Sequence, residues 1–129
     1  MIAVDTNIIV RLLTQDDAEQ YQKAHRLFAS NEIFIADSVI LECEWVLRFA
    51  YQFDIEQINT ALTKLFGLPN VHLTHPALLA QTLAWHSQGM DFADALHLVF
   101  SQHCKTFYSF DKKMVKAAKS IDGCKVVLP

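Results

Sequence analysis

Two aspartates come directly after strand-like segments of the chain. Asp5 follows residues 2–4, and Asp111 follows residues 106–110. Parallel strands deliver their carboxyl ends to one edge of a sheet, where α/β proteins bind ligands, so we expect both acids at that edge. An aspartate before a helix is also a good N-cap, because its side chain accepts hydrogen bonds from first-turn N–H groups. Each acid therefore has both a structural and a functional interpretation.

Glu42 lies at an unexpected position of the helix predicted over residues 38–53. At ~100° per residue, the helical wheel puts Glu42 among apolar side chains, where a carboxylate should be buried or line a cleft, and puts Glu44 with Arg48 on the polar side. A buried carboxylate is costly unless a cation or hydrogen-bond donors compensate for its lost hydration. Two interpretations follow: a buried ion pair, for example with Arg11, or a metal-binding or catalytic role.

The stretch GMDFADALHL, at residues 89–98, contains two further acids. Asp91 is predicted to cap the helix that follows, and Asp94 at the third helical position resembles half of a capping box with Asp in place of Glu. The apolar side chains of this helix lie on the side opposite Asp94. The helix alone therefore leaves open whether Asp94 faces water or a cleft.

Strand-like and helix-like segments alternate along the whole chain, and this order must position the acids. The strands are predicted at 2–4, 33–36, 71–73, 106–109 and 125–128. The helices are predicted at 7–14, 18–30, 38–53, 55–67, 76–88, 92–103 and 112–121. Such βα alternation predicts an α/β fold with a central parallel sheet of about four to five strands and helices on both faces.

The length of 129 residues suits one domain spanning residues 1–129. The net charge of −3 argues against a broad basic surface, although a bound metal ion would supply local positive charge for a nucleic acid. The apolar runs are too short to cross a bilayer, and the N-terminus lacks the features of a signal peptide. These features predict a soluble protein of the cytoplasm.

The cysteines are odd in number and widely separated, which predicts neither a disulfide framework nor a zinc site. They are Cys43, Cys104 and Cys124. We therefore expect reduced thiols in the core.

Taken together, four acidic motifs in this order resemble the PIN-domain ribonucleases, specifically the VapC toxins of bacterial toxin–antitoxin pairs. The motifs are D-T-N at 5–7, Glu42, D-F-A-D-A-L at 91–96 and S-F-D at 109–111. The resemblance runs from Met1 to about Leu128 and implies a three-layer PIN-like sandwich. It implies catalytic roles for Asp5, Glu42, Asp94 and Asp111, with Asp91 as an additional acid. It also implies that Asn7 and Ser109 orient the carboxylates through hydrogen bonds.

Several carboxylates on one rim repel each other, and a divalent cation relieves that repulsion. Hard oxygen ligands favour Mg²⁺, with Mn²⁺ able to substitute. The expected metal ligands are Asp5, Asp94, Asp91 and Asp111. The resemblance implies an endoribonuclease that hydrolyses phosphodiester bonds, leaves a 5′-phosphate, and blocks translation until an antitoxin neutralises it.

The partners are less determined by the residues themselves. Lys112, Lys116 and Lys119 have the spacing of one helical face, which indicates either an RNA-backbone contact or a solvated surface. Sequence-specific proteins read RNA in unpaired loops, so a tRNA or rRNA loop is the expected substrate.

The resemblance also implies protein partners, namely a VapB-type antitoxin and a second copy of the chain in a homodimer. Leu41 and Trp45 fit either an exposed apolar patch or core packing.

Two alternatives belong to other classes of protein. A non-catalytic α/β interaction module would use its aspartates only as helix caps, and Glu42 on an apolar face disfavours it. A phosphoryl-accepting receiver domain would need an acceptor aspartate after the third strand, where residues 71–75 read VHLTH. Metal-dependent RNA hydrolysis therefore remains the main hypothesis.

Overall fold

The computed structural model describes residues 1–129, which form two compact units, Met1–Pro76 and Ala77–Pro129. The first unit contains β1 (Ile2–Ala3), α1 (Thr6–Thr14), α2 (Ala18–Ser30), β2 (Ile33–Phe34), α3 (Asp37–Phe49), α4 (Ile55–Phe66) and β3 (Val71–His72). The second contains α5 (Pro76–Ser87), α6 (Phe92–Phe100), β4 (Thr106–Tyr108), α7 (Lys112–Ala118) and β5 (Lys125–Val127), with α5 starting at the boundary. Every predicted strand and helix is present in the predicted order.

The first unit is built on a parallel sheet in the order β1-β2-β3. Ile33 of β2 is in register with Ile2 on one side and with Val71 on the other. Ile33 and Ile35 are completely buried, because a central parallel strand is covered on both faces. β1 and β2 therefore carry their chain to the same edge, where α1 and α3 begin.

The second unit pairs β4 with β5 in parallel, with Thr106 opposite Lys125. Its core cluster includes Trp85, Leu98 and Met114. Gly123 packs directly on the Trp85 ring, since an added Cβ would lie 2.7 Å from the ring atom Cη2. Any larger residue at 123 would have to displace that buried indole.

The predicted sheet of about four to five strands is divided by its pairing. The hydrogen-bonded strands form a three-stranded and a two-stranded parallel sheet. The α/β class and the parallel pairing are confirmed. The hydrogen-bonded strands do not form the single central sheet that was predicted. The strands are only two or three residues long, so each offers few ladder hydrogen bonds, and sequence pattern does not specify which edges join. The three-layer sandwich and the single domain stay predictions.

Several helices end earlier than predicted. α3 stops at Phe49 rather than at residue 53, because Gln52 takes a left-handed φ of 55° and the Phe53 N–H turns back to the Leu47 carbonyl at 3.0 Å. Similarly, α6 stops at Phe100 and α7 at Ala118. After α6 the N–H groups of Ser101 and Gln102 donate to the carbonyls of Leu98 and Val99, three residues earlier, so the chain continues as turns.

The cysteines are all free, as predicted, but only one belongs to the core. Cys43 is buried, Cys124 is half-buried and Cys104 is exposed. Burial raises the pKa of the Cys43 thiol to about 12, with the charge of Glu42 adding to the effect. The prediction of core thiols was therefore wrong for Cys104, because the chain has already left α6 at that point.

No helix in the structure combines the length and the apolar character that crossing a bilayer requires.

Candidate functional site

Asp5 lies between β1 and α1 and is the N-cap of that helix. Its Oδ1 accepts a hydrogen bond from the Ile8 N–H at 3.2 Å. The side chain is exposed, so one carboxylate oxygen serves the helix while the other remains available at the edge of the sheet. Asn7 is also exposed on α1, and its predicted orienting role stays a prediction.

Glu42 on α3 is held by a hydroxyl from α1. The buried Thr6 side chain donates a hydrogen bond through Oγ1 to Oε1 of Glu42. Thr6 directly follows Asp5, the N-cap of α1. The hydrogen bond from Thr6 therefore connects Glu42 of α3 to the start of α1, next to Asp5. Sequence reasoning missed Thr6, although the D-T-N triplet contained it.

Glu42 was predicted to be buried or to line a cleft; the prediction of burial is wrong, and the buried carboxylate of α3 is Glu44. Glu42 is exposed, whereas Glu44 is only 1% exposed. The Arg48 guanidinium, one helical turn later, forms an ion pair with Glu44 at 2.9 Å between Nε and Oε2. Arg11, considered as a partner for Glu42, instead pairs with Asp16 at 2.9 Å.

Another acid of the first unit was not singled out from the sequence. Asp37 is the first residue of α3, separated by two residues from the end of β2, and its Oδ1 is buried without a hydrogen-bond partner. A buried carboxylate oxygen without a donor is costly. The helix N-terminus, which favours negative charge, offsets part of that cost.

In the second unit, Asp91 caps α6 as predicted. The chain turns at Gly89 with φ 105°, a left-handed conformation that suits glycine. Asp91 then accepts a hydrogen bond through Oδ2 from the Asp94 N–H at 3.2 Å. This bond fixes the first turn of α6, and with it the position from which Asp94 projects.

Asp111 occupies the equivalent place at the start of α7. Its Oδ1 accepts hydrogen bonds from the Lys113 N–H at 2.9 Å and the Met114 N–H at 3.3 Å. Ser109 accepts a hydrogen bond through Oγ from the Asp111 N–H at 2.9 Å. Ser109 therefore contacts the backbone of Asp111 and not its carboxylate, and its predicted orienting role stays a prediction.

Asp91, Asp94 and Asp111 line one cleft of about 450 Å³ in the second unit. Its other lining residues are Gly89, Met90, Lys113, Met114 and Ala117. The structure thus answers the question that the helical wheel left open, because Asp94 is half-buried and faces a cleft rather than bulk water.

The electrostatics of this cleft are unfavourable for another negative charge. Burial raises the pKa of Asp94 above its ordinary value, the charges of Asp91 and Asp111 raise it further, and His97 lowers it in part. Desolvation and neighbouring carboxylates both disfavour the ionised form. A cation bound in the cleft would instead favour the ionised form of Asp94.

The lysine that lines the cleft is Lys113, which sequence reasoning did not select. The predicted stripe of Lys112, Lys116 and Lys119 is exposed on and just after α7. Lys113 was missed because it breaks the helical spacing of that stripe. Its place two residues after the cap Asp111 is the signal that could have found it.

The donor set of the cleft suits a hard divalent cation, since carboxylate oxygens are the preferred ligands of Mg²⁺ and Mn²⁺. Within either unit, however, no three His, Cys, Asp or Glu side chains are gathered as closely as metal ligands would be. The fit therefore rests on donor chemistry and on the uncompensated charge around Asp94.

Parallel strands, helices that begin at aspartates and a cleft of carboxylates define the class as an α/β protein with an acidic site. A family model described as PIN domain matches residues 2–120, and the chain therefore belongs to the PIN domain family. PIN domains are generally nucleases and typically bind divalent metals. No curated protein and no solved structure gave a significant match.

Proposed function

We propose that this protein is a Mg²⁺-dependent endoribonuclease toxin of the VapC type, paired with a VapB-type antitoxin. Its reaction is hydrolysis of a phosphodiester bond in RNA, with an unpaired tRNA or rRNA loop as the substrate. The observation that carries the proposal is the cleft of Asp91, Asp94 and Asp111 in a chain of the PIN family. The half-buried Asp94 carboxylate lies near two other carboxylates, which favours a bound cation, and metal-assisted hydrolysis uses one.

Asp5 and Asp94 are the proposed main ligands of Mg²⁺ (or Mn²⁺), with Asp91 and Asp111 as further ligands. When bound, the ion supplies a water of lowered pKa and stabilises charge on the phosphate. The caps made by Asp91 and Asp111 hold their carboxylates in place. Glu42, oriented by the Thr6 hydroxyl, is the proposed acid that holds the attacking water.

RNA cleavage by the purified protein tests this proposal. We expect the wild-type chain to cleave a hairpin RNA within its loop in Mg²⁺, leaving a 5′-phosphate, and to stop when EDTA is added. The Asp94→Asn variant should lose at least about two orders of magnitude in rate, as expected when a stabilising group is removed from a site. Its circular dichroism spectrum should be unchanged.

Asp17→Asn is the matched control, because Asp17 caps α2 without belonging to the proposed site and asparagine caps helices as well as aspartate does. This control should cleave at the wild-type rate. Full Mg²⁺-dependent cleavage by Asp94→Asn would remove the assignment.

Homodimerisation and antitoxin binding are part of the same proposal. The exposed rings of Trp45 and Phe49 on α3 contact each other at 5.1 Å between centroids, and the Arg48 guanidinium lies 4.5 Å from the Phe49 ring centre. Leu41 is half-buried beside them. Exposed aromatic and arginine side chains are typical of protein interfaces, which supports this surface as a dimer or antitoxin contact. A monomeric mass in light scattering would remove the dimer proposal.

A further inference from the structure

Two aromatic side chains stand out of the second unit just before Asp111. Tyr108 is 65% exposed and Phe110 is 85% exposed, the highest value among the exposed large apolar side chains. Phe107, between them and the core, packs on the buried cluster of this unit. Tyr108 ends β4 and Phe110 lies in the bend before α7, and both rings remain exposed. Exposed apolar side chains that lie close together in the chain and are bordered by charged residues are typical of an interaction site.

The position of this aromatic pair connects it to the acidic cleft. Phe110 directly precedes Asp111, whose carboxylate caps α7 and lines the cleft. Lys113 lines the same cleft, and the exposed Lys112 lies between the two. Within four consecutive residues the chain thus presents an aromatic face, a carboxylate and two cations.

This arrangement matches the chemistry of one nucleotide. Base faces stack on aromatic rings, whatever the base, and phosphates bind lysine ammonium groups. A nonpolar protein partner would match the rings but leave the charges of Asp111, Lys112 and Lys113 uncompensated. A duplex would match the cations but keep its base faces covered by its own stacking. Charge complementarity therefore favours a single-stranded nucleic acid.

We propose that Phe110, with Tyr108 beside it, is a stacking platform that binds an unpaired RNA base next to the phosphate held at the acidic cleft. The inference rests on the proposed nuclease function and adds to it the side chains that recognise the unpaired base. The platform sets which nucleotide enters the cleft, because only a base free to stack brings its phosphate to Lys113 in that cleft.

RNA affinity tests the platform directly. In the Asp94→Asn background, which prevents cleavage, binding of a fluorescein-labelled single-stranded RNA would be followed by anisotropy in Mg²⁺. A 2-aminopurine in the same RNA, excited apart from tryptophan, would report stacking through quenching. We expect Phe110→Ala to weaken binding by roughly 5- to 150-fold, the range for one stacked base, and to remove the quenching.

Matched variants separate stacking from simple apolar contact. Phe110→Tyr keeps an aromatic face and should retain both affinity and quenching. Phe110→Leu keeps apolar bulk without that face and should behave like Phe110→Ala. Because Phe110 is 85% exposed, all three variants should keep the wild-type melting temperature. Leu68→Ala removes an exposed apolar side chain of the first unit, at a position outside the proposed site, and should leave RNA affinity unchanged.

The outcomes distinguish this inference from the function on which it rests. Unchanged affinity in Phe110→Ala and Phe110→Leu, with cleavage by the wild-type chain intact, would overturn the platform and leave the nuclease standing. Phe110-dependent binding without any cleavage by the wild-type chain would support the platform and overturn the nuclease. Unchanged RNA affinity together with loss of a dimer in Phe110→Ala would assign the rings to a second copy of this chain.

Discussion

At the scale of single residues, the acids of this chain divide by what surrounds each carboxylate. Asp16 is surrounded by donors, from Tyr51, Thr14 and Arg11, which lower its pKa from 3.8 to about 2. Asp94 meets burial and two other carboxylates, and its pKa is raised. The donors around Asp16 stabilise its negative charge, whereas the surroundings of Asp94 disfavour a negative charge. This difference separates a structural acid from a candidate ligand more clearly than the residue type does.

The pH dependence of stability should report Asp16. A carboxyl group whose pKa is lowered in the folded state stabilises that state above its ordinary pKa, and the contribution is lost as pH falls through the folded value. The contribution of Asp16 is therefore complete above pH 3.8 and disappears as pH falls through about 2. Melting temperatures measured across this range should fall more steeply for the wild-type chain than for Asp16→Asn.

Tyr51→Phe is the informative partner variant, because the Tyr51 hydroxyl donates to Asp16 Oδ2 at 2.6 Å and is the largest cause of the shift. It should make the dependence shallower without removing it. Identical pH profiles for all three proteins would show that Asp16 does not carry this stabilisation.

At the scale of elements, the sequence predicted the existence of α3 but not which of its sides is buried. The helix was predicted and is present, yet its buried side was misplaced, so that Glu42 was taken as buried in place of Glu44. The buried stripe includes Ile40, Cys43 and Leu47. The helical wheel predicted the wrong buried side because it counts Trp45 and Phe49 as apolar, whereas both side chains stay exposed. Hydrophobicity gives a helix its period, while the elements packed around it decide which side is covered.

Glu44 and Glu42 should therefore behave oppositely on substitution. Glu44→Ala should lower the free energy of unfolding by about 2–4 kcal/mol, somewhat less than for a fully buried pair, because its partner Arg48 reaches solvent. Glu42→Gln should change it by less than about 1 kcal/mol while abolishing RNA cleavage. Urea unfolding followed by circular dichroism gives both values. A larger stability loss in Glu42→Gln than in Glu44→Ala would return the buried position to Glu42.

At the scale of the whole molecule, the order of elements and the helix caps could be predicted, and the pairing of strands could not. Asp5, Asp91 and Asp111 were identified as caps because an N-cap is a local feature of the chain. The division into a three-stranded and a two-stranded sheet depends on contacts between segments far apart in sequence. The same limit applies to Thr6 and Lys113, whose roles follow from neighbours that periodicity does not reveal.

The proposed function requires the acids to bind a divalent cation, and calorimetric titration with Mn²⁺ tests this most directly. We predict saturable binding by the wild-type chain and by Asp17→Asn, and at least about a tenfold loss of affinity, some 1.4 kcal/mol, in Asp94→Asn. A non-catalytic interaction module whose aspartates only cap helices would show no saturable heat in any of the three. That result, or equal affinity in the wild type and Asp94→Asn, would contradict the proposed metal site.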